Sequence, residues 1–186
     1  MNTYIDWTCK ASRAFWENAI VGIVGLGMIL SVVLTQTHLY INYTPSLPYR
    51  AFICIKALTP QSGDFVSIQN HPTHFFNGLH YIKRLSGFPG DHVHIHHNHV
   101  YVEKTRTRLL TDTYHIGPLR QTTREGNALH PLKNTVIPEG SFFVSADHPH
   151  SFDSRYEEFG LVRKECITAK CFGLFKSNVN AQEGNP

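Results

Sequence analysis

Acidic and basic side chains are absent from the whole stretch between Glu17 and Arg50. This uncharged run exceeds the roughly 20 residues that a helix needs to cross a bilayer. Lys10 and Arg13 precede the run, so the positive-inside rule predicts a cytoplasmic N-terminus and an exported remainder. We therefore expect a single-pass transmembrane anchor over residues 18–40.

Two alternatives to an anchor are a buried core helix and a cleaved signal peptide. The glycines of the run and its lack of a polar face argue against a core helix. VLTQTH, at the end of the run, lacks the small-residue A-x-A pattern of a cleavage site, which favours an uncleaved anchor.

Basic clusters are also missing. The formal net charge is +3, and the lysines and arginines are scattered rather than gathered in a stripe. Nucleic-acid-binding domains carry a concentrated basic surface. We therefore predict no nucleic-acid partner.

Cysteines are few, and none has the C-x-x-C spacing of a metal site. Cys9 falls on the cytoplasmic side of the predicted anchor. Three cysteines remain, so at most one disulfide can form among them. Cys54 and Cys171 lie in apolar runs, which predicts that they serve as small buried hydrophobic residues.

Helical periodicity is absent beyond residue 50, where short β-branched and aromatic runs are separated by Gly, Pro, Asn and Asp. This pattern predicts a mainly β fold, a barrel or sandwich of packed sheets. The predicted strands are 51–58, 64–69, 78–85, 91–97, 99–103, 141–146 and 166–175. The predicted organisation is a cytoplasmic N-terminus (1–17), the anchor (18–40), an exported domain (41–177) with a long insertion (104–140), and a disordered tail (178–186).

Ser46 lies between two prolines in INYTPSLPYR (41–50). A proline fixes its own φ and pushes the preceding residue towards an extended conformation. Pro45 and Pro48 therefore predict a rigid, non-helical turn. That turn is either an ordinary loop or the support of a nucleophile.

Lys83 lies in the predicted strand GLHYIKRL (78–85); if it shares the inner face with Tyr81 and Leu85, it points into the core and Arg84 points out. Burial disfavours the ammonium form and lowers the pKa, so a buried lysine can act as a general base near neutral pH. The alternative is a lysine whose ammonium group reaches the surface.

A third polar segment, SADHPHSFDSRYEEFG (145–160), follows the predicted strand SFFVSA. It gathers Asp147, Ser151, Asp153, Ser154 and Arg155. These residues form either an ordinary turn with an Asp–Arg ion pair or a shell of hydrogen bonds that orients a catalytic group.

The sequence resembles the serine–lysine signal peptidases over most of residues 42–175. Four features in the same order carry this resemblance: a serine after an anchor, GDFV (63–66), YIKRLSGFPGD (81–91) and ADHPHSFDSRY (146–156). The resemblance is closest to the TraF-type branch, whose members mature pilins in conjugative transfer. This finer resemblance rests on three features: the Ser46-Leu47-Pro48 spacing, the preceding Asn42 and Thr44, and the motif SFDSRY. Two features depart from the TraF-type pattern. Arg50 stands where that branch usually has glycine, and His148-Pro149-His150 differs from its usual residues.

The resemblance implies roles for six residues. Ser46 matches the nucleophile and Lys83 the general base, while Asp153 matches an aspartate considered important in the TraF branch. The supporting residues are Thr44, matching a hydroxyl beside the oxyanion hole, Ser151, matching a partner of the lysine, and Arg155. The resemblance also implies a signal-peptidase-like fold of packed β-sheets in a partly open barrel.

The function implied is removal of a C-terminal tail from a pilin precursor and its head-to-tail cyclisation. The catalytic domain would be periplasmic and the anchor in the lipid of a bacterial inner membrane. No metal or other cofactor is expected in the reaction. A general leader peptidase, a non-catalytic pilus assembly subunit and a cytoplasmic self-cleaving repressor relative are the alternatives.

The histidine run HVHIHHNHV (92–100) is a further open point. His92, His94 and His96 alternate with apolar residues, so a strand would place them on one face. A shared zinc ion is one interpretation, and a half-buried strand with histidines on its polar side is the other. The absence of acidic or cysteine ligands in the run favours the second.

Overall fold

The structure is a computed structural model that describes residues 3–44, 46–73, 80–105, 112–123 and 125–176, with side chains from residue 16 onward. The chain divides into two compact units, residues 1–38 and 39–186. The first unit consists mainly of helix α1 (Thr3–Gln36). Its segment Trp16–Gln36 has 21 residues and a mean hydropathy of 2.2, long and apolar enough to cross a membrane.

Strands dominate the rest of the chain and form two antiparallel sheets, as the sequence predicts. The larger sheet has the order β1-β2-β11-β3-β4-β9-β10, and the smaller has the order β7-β6-β5-β8. The strands are β1 (Thr37–Ile41), β2 (Tyr49–Ile55), β3 (Phe65–Ile68), β4 (Tyr81–Gly87), β5 (His92–His96), β6 (His99–Lys104), β7 (Asp112–Pro118), β8 (Thr135–Val136), β9 (Ser141–Ser145), β10 (Val162–Arg163) and β11 (Ile167–Lys176). The prediction of a mainly β fold with one N-terminal apolar helix is confirmed.

Alternating side chains explain how the sheets form a core. In β4, Lys83, Leu85 and Gly87 are buried while the residues between them are partly exposed. Gly87 has no room for a side chain, because a Cβ there would lie 2.6 Å from Ile137 Cδ1. Three apolar clusters result, centred on Val102 and Phe143, on Val66 and Leu85, and on Phe52 and Cys171.

The predicted insertion (104–140) contributes part of the smaller sheet. Its described residues supply β7 at one edge and β8 at the other. Neither strand was predicted. The first four residues of β7 are exposed, and β8 has only two residues, so neither carries an apolar pattern. The predicted disordered tail (178–186) lies outside the described residues.

The prediction for Cys54 and Cys171 needs a correction. Both side chains are buried, but they form a disulfide that joins the neighbouring strands β2 and β11. The two cysteines face each other in the register of these antiparallel strands. That pairing depends on residues 117 positions apart, so the local apolar pattern could not indicate it. Cys166 is buried and remains a free thiol.

Candidate active site

The turn that carries Ser46 is held from inside by Asn42. The Asn42 side-chain amide donates to the carbonyl oxygens of Leu47 (3.3 Å) and Tyr49 (2.9 Å). Its side-chain oxygen accepts from the backbone N–H of Thr44 (3.1 Å), an Asx-type turn. Leu47 is buried in the core, and Ser46 beside it is only half-buried. Pro45 lies outside the described residues, so Pro48 and Asn42 account for the described constraint on this turn.

The hydroxyls of Thr44 and Ser46 form a chain that ends on Asn42. Thr44 Oγ1 donates to Asn42 Oδ1 (3.1 Å) and lies 2.5 Å from Ser46 Oγ. Thr44 has a single hydroxyl proton, which is used on Asn42, so Ser46 is the donor in the short hydrogen bond. The Ser46 proton therefore points at Thr44 in this state.

Lys83 is buried, so the structure shows the inward-facing alternative for this position of the strand. Its side chain is 5% exposed in β4 opposite Val66 of β3, and its Nζ lies 6.0 Å from the centre of the Phe159 ring. The next residue, Arg84, points the other way and pairs with Asp147 (2.8 Å). The two side chains thus divide between core and surface as alternation requires.

Burial lowers the pKa of Lys83 to about 8, although the charge of Asp153 raises it and that of Arg155 lowers it further. With the ordinary pKa of 10.5, about one lysine in three thousand would be neutral at pH 7. With a pKa of about 8, about one in ten is neutral. Lys83 is therefore a usable proton acceptor near neutral pH.

Asp153 and Arg155 form a buried pair next to β9. Asp153 is fully buried and Arg155 is 1% exposed. The guanidinium donates to both carboxylate oxygens, Nε to Oδ1 (2.8 Å) and Nη2 to Oδ2 (2.9 Å). Asp153 Oδ2 also accepts the backbone N–H of Ala146 (3.0 Å) and Oδ1 accepts that of Arg155 (3.2 Å), so four donors saturate the carboxylate. This arrangement fits a residue that positions its neighbours.

Arg155 also organises the loop between Asp147 and Asp153. Its remaining N–H groups donate to the carbonyl oxygens of His148, Pro149, Ser151 and Pro118. Gly117 of β7 makes room for the guanidinium, because a Cβ there would lie 3.3 Å from Nη1. One buried side chain thus ties the loop to the smaller sheet.

A backbone contact brings this loop to the Ser46 turn. The His148 N–H donates to the Ser46 carbonyl oxygen (3.2 Å). Lys83 belongs to β4, which pairs with β9 immediately before the loop, with Arg84 opposite Ser145. The structure therefore brings together three segments that lie up to about a hundred positions apart in sequence.

Two contacts implied by the family resemblance are not formed. Within the described ranges, Ser46 Oγ and Lys83 Nζ share no hydrogen bond, and Ser46 Oγ bonds Thr44. Ser151 Oγ is buried and has no hydrogen-bond partner among the described residues, so it does not bond Lys83 either. Catalytic hydrogen bonds are often long or misaligned without substrate. The roles of Ser46, Lys83, Thr44, Ser151, Asp153 and Arg155 accordingly stay predictions.

Sequence reasoning missed two residues of this site. Asn42 entered only as a mark of the resemblance, yet its side chain organises the Ser46 turn. The position of Asn42, two residues before Thr44 and ahead of a proline-rich turn, could have indicated a side-chain hydrogen bond to the turn backbone. Phe159, whose ring lies 6.0 Å from Lys83 Nζ, is an apolar residue inside the polar segment 145–160, and nothing in the sequence indicated this contact.

Comparisons with known proteins place this chain in a family. The model for "Signal peptidase, peptidase S26" matches residues 13–175. No curated protein matches the chain. Among solved structures, a signal peptidase I from Enterococcus faecalis V583 is similar, with 22% identity and a TM-score of 0.36 over 61% of this chain and 97% of that chain. Since the family model covers most of the sequence, this chain belongs to the signal peptidase family.

Proposed function

We propose that this protein is a membrane-anchored serine peptidase that matures a conjugative pilin precursor. Helix α1 would anchor it in a bacterial inner membrane, with the catalytic domain in the periplasm. Ser46 would be the nucleophile and Lys83 the general base. The observation that carries the proposal is the buried Lys83, whose pKa is about 8, in a chain of the signal peptidase family.

The first step is transfer of the Ser46 proton. A serine hydroxyl is a weak nucleophile without an adjacent base. Ser46 Oγ–H would turn away from Thr44 and donate to neutral Lys83 Nζ as Oγ attacks the scissile carbonyl. The lysine would then return the proton to the leaving amine, which leaves an ester on Ser46.

Thr44 would assist the oxyanion. Once Ser46 turns away, the Thr44 hydroxyl would rotate its proton from Asn42 Oδ1 to the developing negative charge, together with a backbone N–H such as that of Ser46. Removing one donor of this kind costs about 3 to 4 kcal/mol in other hydrolases. The Asn42 oxygen that now accepts from Thr44 keeps that hydroxyl next to the nucleophile.

The ester has two possible fates. Attack by water gives a shortened linear product, and attack by the substrate's own N-terminal amine gives a cyclic one. The TraF-type resemblance favours the cyclic product. Asn42 and Thr44, which contribute to that resemblance, are also the residues that hold the Ser46 turn.

Substitution of Thr44 tests the oxyanion role. We expect Thr44→Val to lower kcat by about 10²- to 10³-fold with little change in KM, because the donor acts on charge that exists only in the transition state. Thr44→Ser keeps the hydroxyl and is the matched control, with activity near wild type. Equal activity of the valine and serine variants would exclude Thr44 from the reaction.

Mass spectrometry of the candidate pilin from cells tests the function itself. We expect a product that is shorter at its C-terminus and lighter by one further water in cells with the wild-type peptidase. Ser46→Ala and Lys83→Ala should leave the precursor unprocessed. A trimmed product that keeps the water would support hydrolysis, as in a general leader peptidase, and a pilin mass identical in all three strains would favour a non-catalytic assembly subunit.

A further inference from the structure

Two histidines outside the proposed active site share a hydrogen bond on the smaller sheet. His99 Nδ1 of β6 and His115 Nε2 of β7 lie 2.7 Å apart, and their ring centres are 4.9 Å apart. The contact is exposed to solvent, while Val100 and Val102 of the same strand are buried in the core. The pair therefore lies on the outer face of the sheet and contributes nothing to its core.

Neighbouring rings limit the freedom of this pair. The His115 ring lies 5.2 Å from that of Tyr101, which in turn stacks on His94 at 5.5 Å with an angle of 12° between the planes. His115 is thus held between Tyr101 and His99. Binding a ligand would therefore cost these two imidazoles less conformational entropy than it would cost two unrestrained surface side chains.

The geometry points to a two-histidine site for a borderline divalent metal ion, Zn²⁺ being the probe used below. Neutral imidazoles bind such ions at about 2.0 to 2.1 Å, which in tetrahedral geometry places two ligand nitrogens roughly 3.3 Å apart. A small opening of the present 2.7 Å contact would suffice. The ring that now donates the hydrogen bond would move its proton to its other nitrogen through solvent, so that both imidazoles stay neutral and both facing nitrogens can bind the ion.

Water would fill the other coordination positions. In the parts of the chain that the structure describes, no three His, Cys, Asp or Glu side chains already converge on one point. The site would therefore take two ligands from the protein, and imidazole ligands favour Zn²⁺, Cu²⁺ and Ni²⁺ over Mg²⁺ or Ca²⁺.

A metal ion here would secure an edge strand. β7 lies at the edge of the smaller sheet and pairs only with β6 within it. Its last residue, Pro118, accepts a hydrogen bond from Arg155, which holds the loop next to the proposed active site. A bound ion would therefore add a cross-link on the side of the fold that supports this loop.

Isothermal titration of the full-length protein in detergent, without a polyhistidine tag, tests the site. We expect one equivalent of Zn²⁺ to bind the wild type, and His99→Ala and His115→Ala each to weaken that binding about tenfold or more. His92→Ala is the matched control, an exposed histidine at the start of β5 in the same sheet, and should bind like the wild type. Equal weakening in all three variants, or no binding tighter than about 1 mM in the wild type, would overturn the proposal.

Electron paramagnetic resonance with Cu²⁺ provides a second readout. The wild type should show coupling to two imidazole nitrogens, and each single variant at His99 or His115 should lose one of them. A spectrum unchanged by both substitutions would place the metal elsewhere and contradict the site.

Discussion

Replacement of Lys83 by methionine is expected to abolish processing while making the folded protein more stable. Methionine is close to lysine in length and has no charge, so it suits the buried position. Loss of a general base costs about 10² to 10⁴ in rate. Loss of the buried ammonium removes a desolvation cost, which for a pKa lowered from 10.5 to about 8 amounts to about 3 kcal/mol near neutral pH.

The pH dependence of unfolding shows whether the higher stability of Lys83→Met comes from loss of the buried charge or from better packing of methionine. Below pH 8 the lysine is protonated in both the folded and the unfolded wild type, so the cost is constant there. Between about pH 8 and 10.5 the unfolded state binds a proton that the folded state has lost, so wild-type stability rises with pH. The advantage of Lys83→Met should therefore be full below pH 8 and fade towards pH 10.5.

Denaturant unfolding of the two proteins at pH 7 and pH 10 measures this difference. Lys83→Arg is a useful comparison, because it keeps a permanent charge in the buried position and should be both inactive and less stable. Retention of activity in Lys83→Met would exclude the lysine as the base. A stability loss in that variant at every pH would contradict the buried, desolvated amine.

Replacement of Arg155 by methionine is expected to destabilise the fold by about 3 to 5 kcal/mol, since it leaves the carboxylate of Asp153 buried without its cationic partner. The same change removes hydrogen bonds to the carbonyl oxygens of His148, Ser151 and Pro118. Because the loop contacts the Ser46 turn through His148, processing should fall as well. Thermal and denaturant unfolding measure the first effect.

A double variant provides the control for this interpretation. Asp153→Asn combined with Arg155→Met removes the stranded charge, so it should be more stable than Arg155→Met alone. If the double variant loses the sum of the two single effects, the pair is not coupled and the assignment of the stability loss to the unpaired charge of Asp153 is wrong.

The strands were predictable where one face of a sheet is buried, because alternation then appears in the sequence. YIKRL and SFFVS predicted β4 and β9 in this way, but the same alternation left both an inward and an outward orientation open for Lys83. β7 was missed because its exposed residues carry no alternation. The disulfide was missed because its two cysteines meet only through the pairing of β2 with β11.

The sequence predicted which segments form the candidate site, but not the hydrogen bonds between their side chains. Proline spacing and family resemblance singled out Ser46, and the resemblance together with strand alternation singled out Lys83. The saturation of Asp153 by Ala146 and Arg155 depends on the fold of the loop after β9, which no local pattern encodes. The hydrogen bond between Ser46 and Thr44 likewise depends on the hydrogen bond that Thr44 donates to the side-chain oxygen of Asn42.

The most direct test of neutral Lys83 as the base of Ser46 is the pH dependence of kcat/KM, measured on the precursor that the cellular experiment identifies. The wild type should show a limb that rises with unit slope and levels off above about pH 8. Because the charge of Asp153 raises the pKa of Lys83, Asp153→Asn should move that limb to lower pH. A profile that is flat from about pH 6 to 9, or a limb that Asp153→Asn leaves in place, would contradict the account.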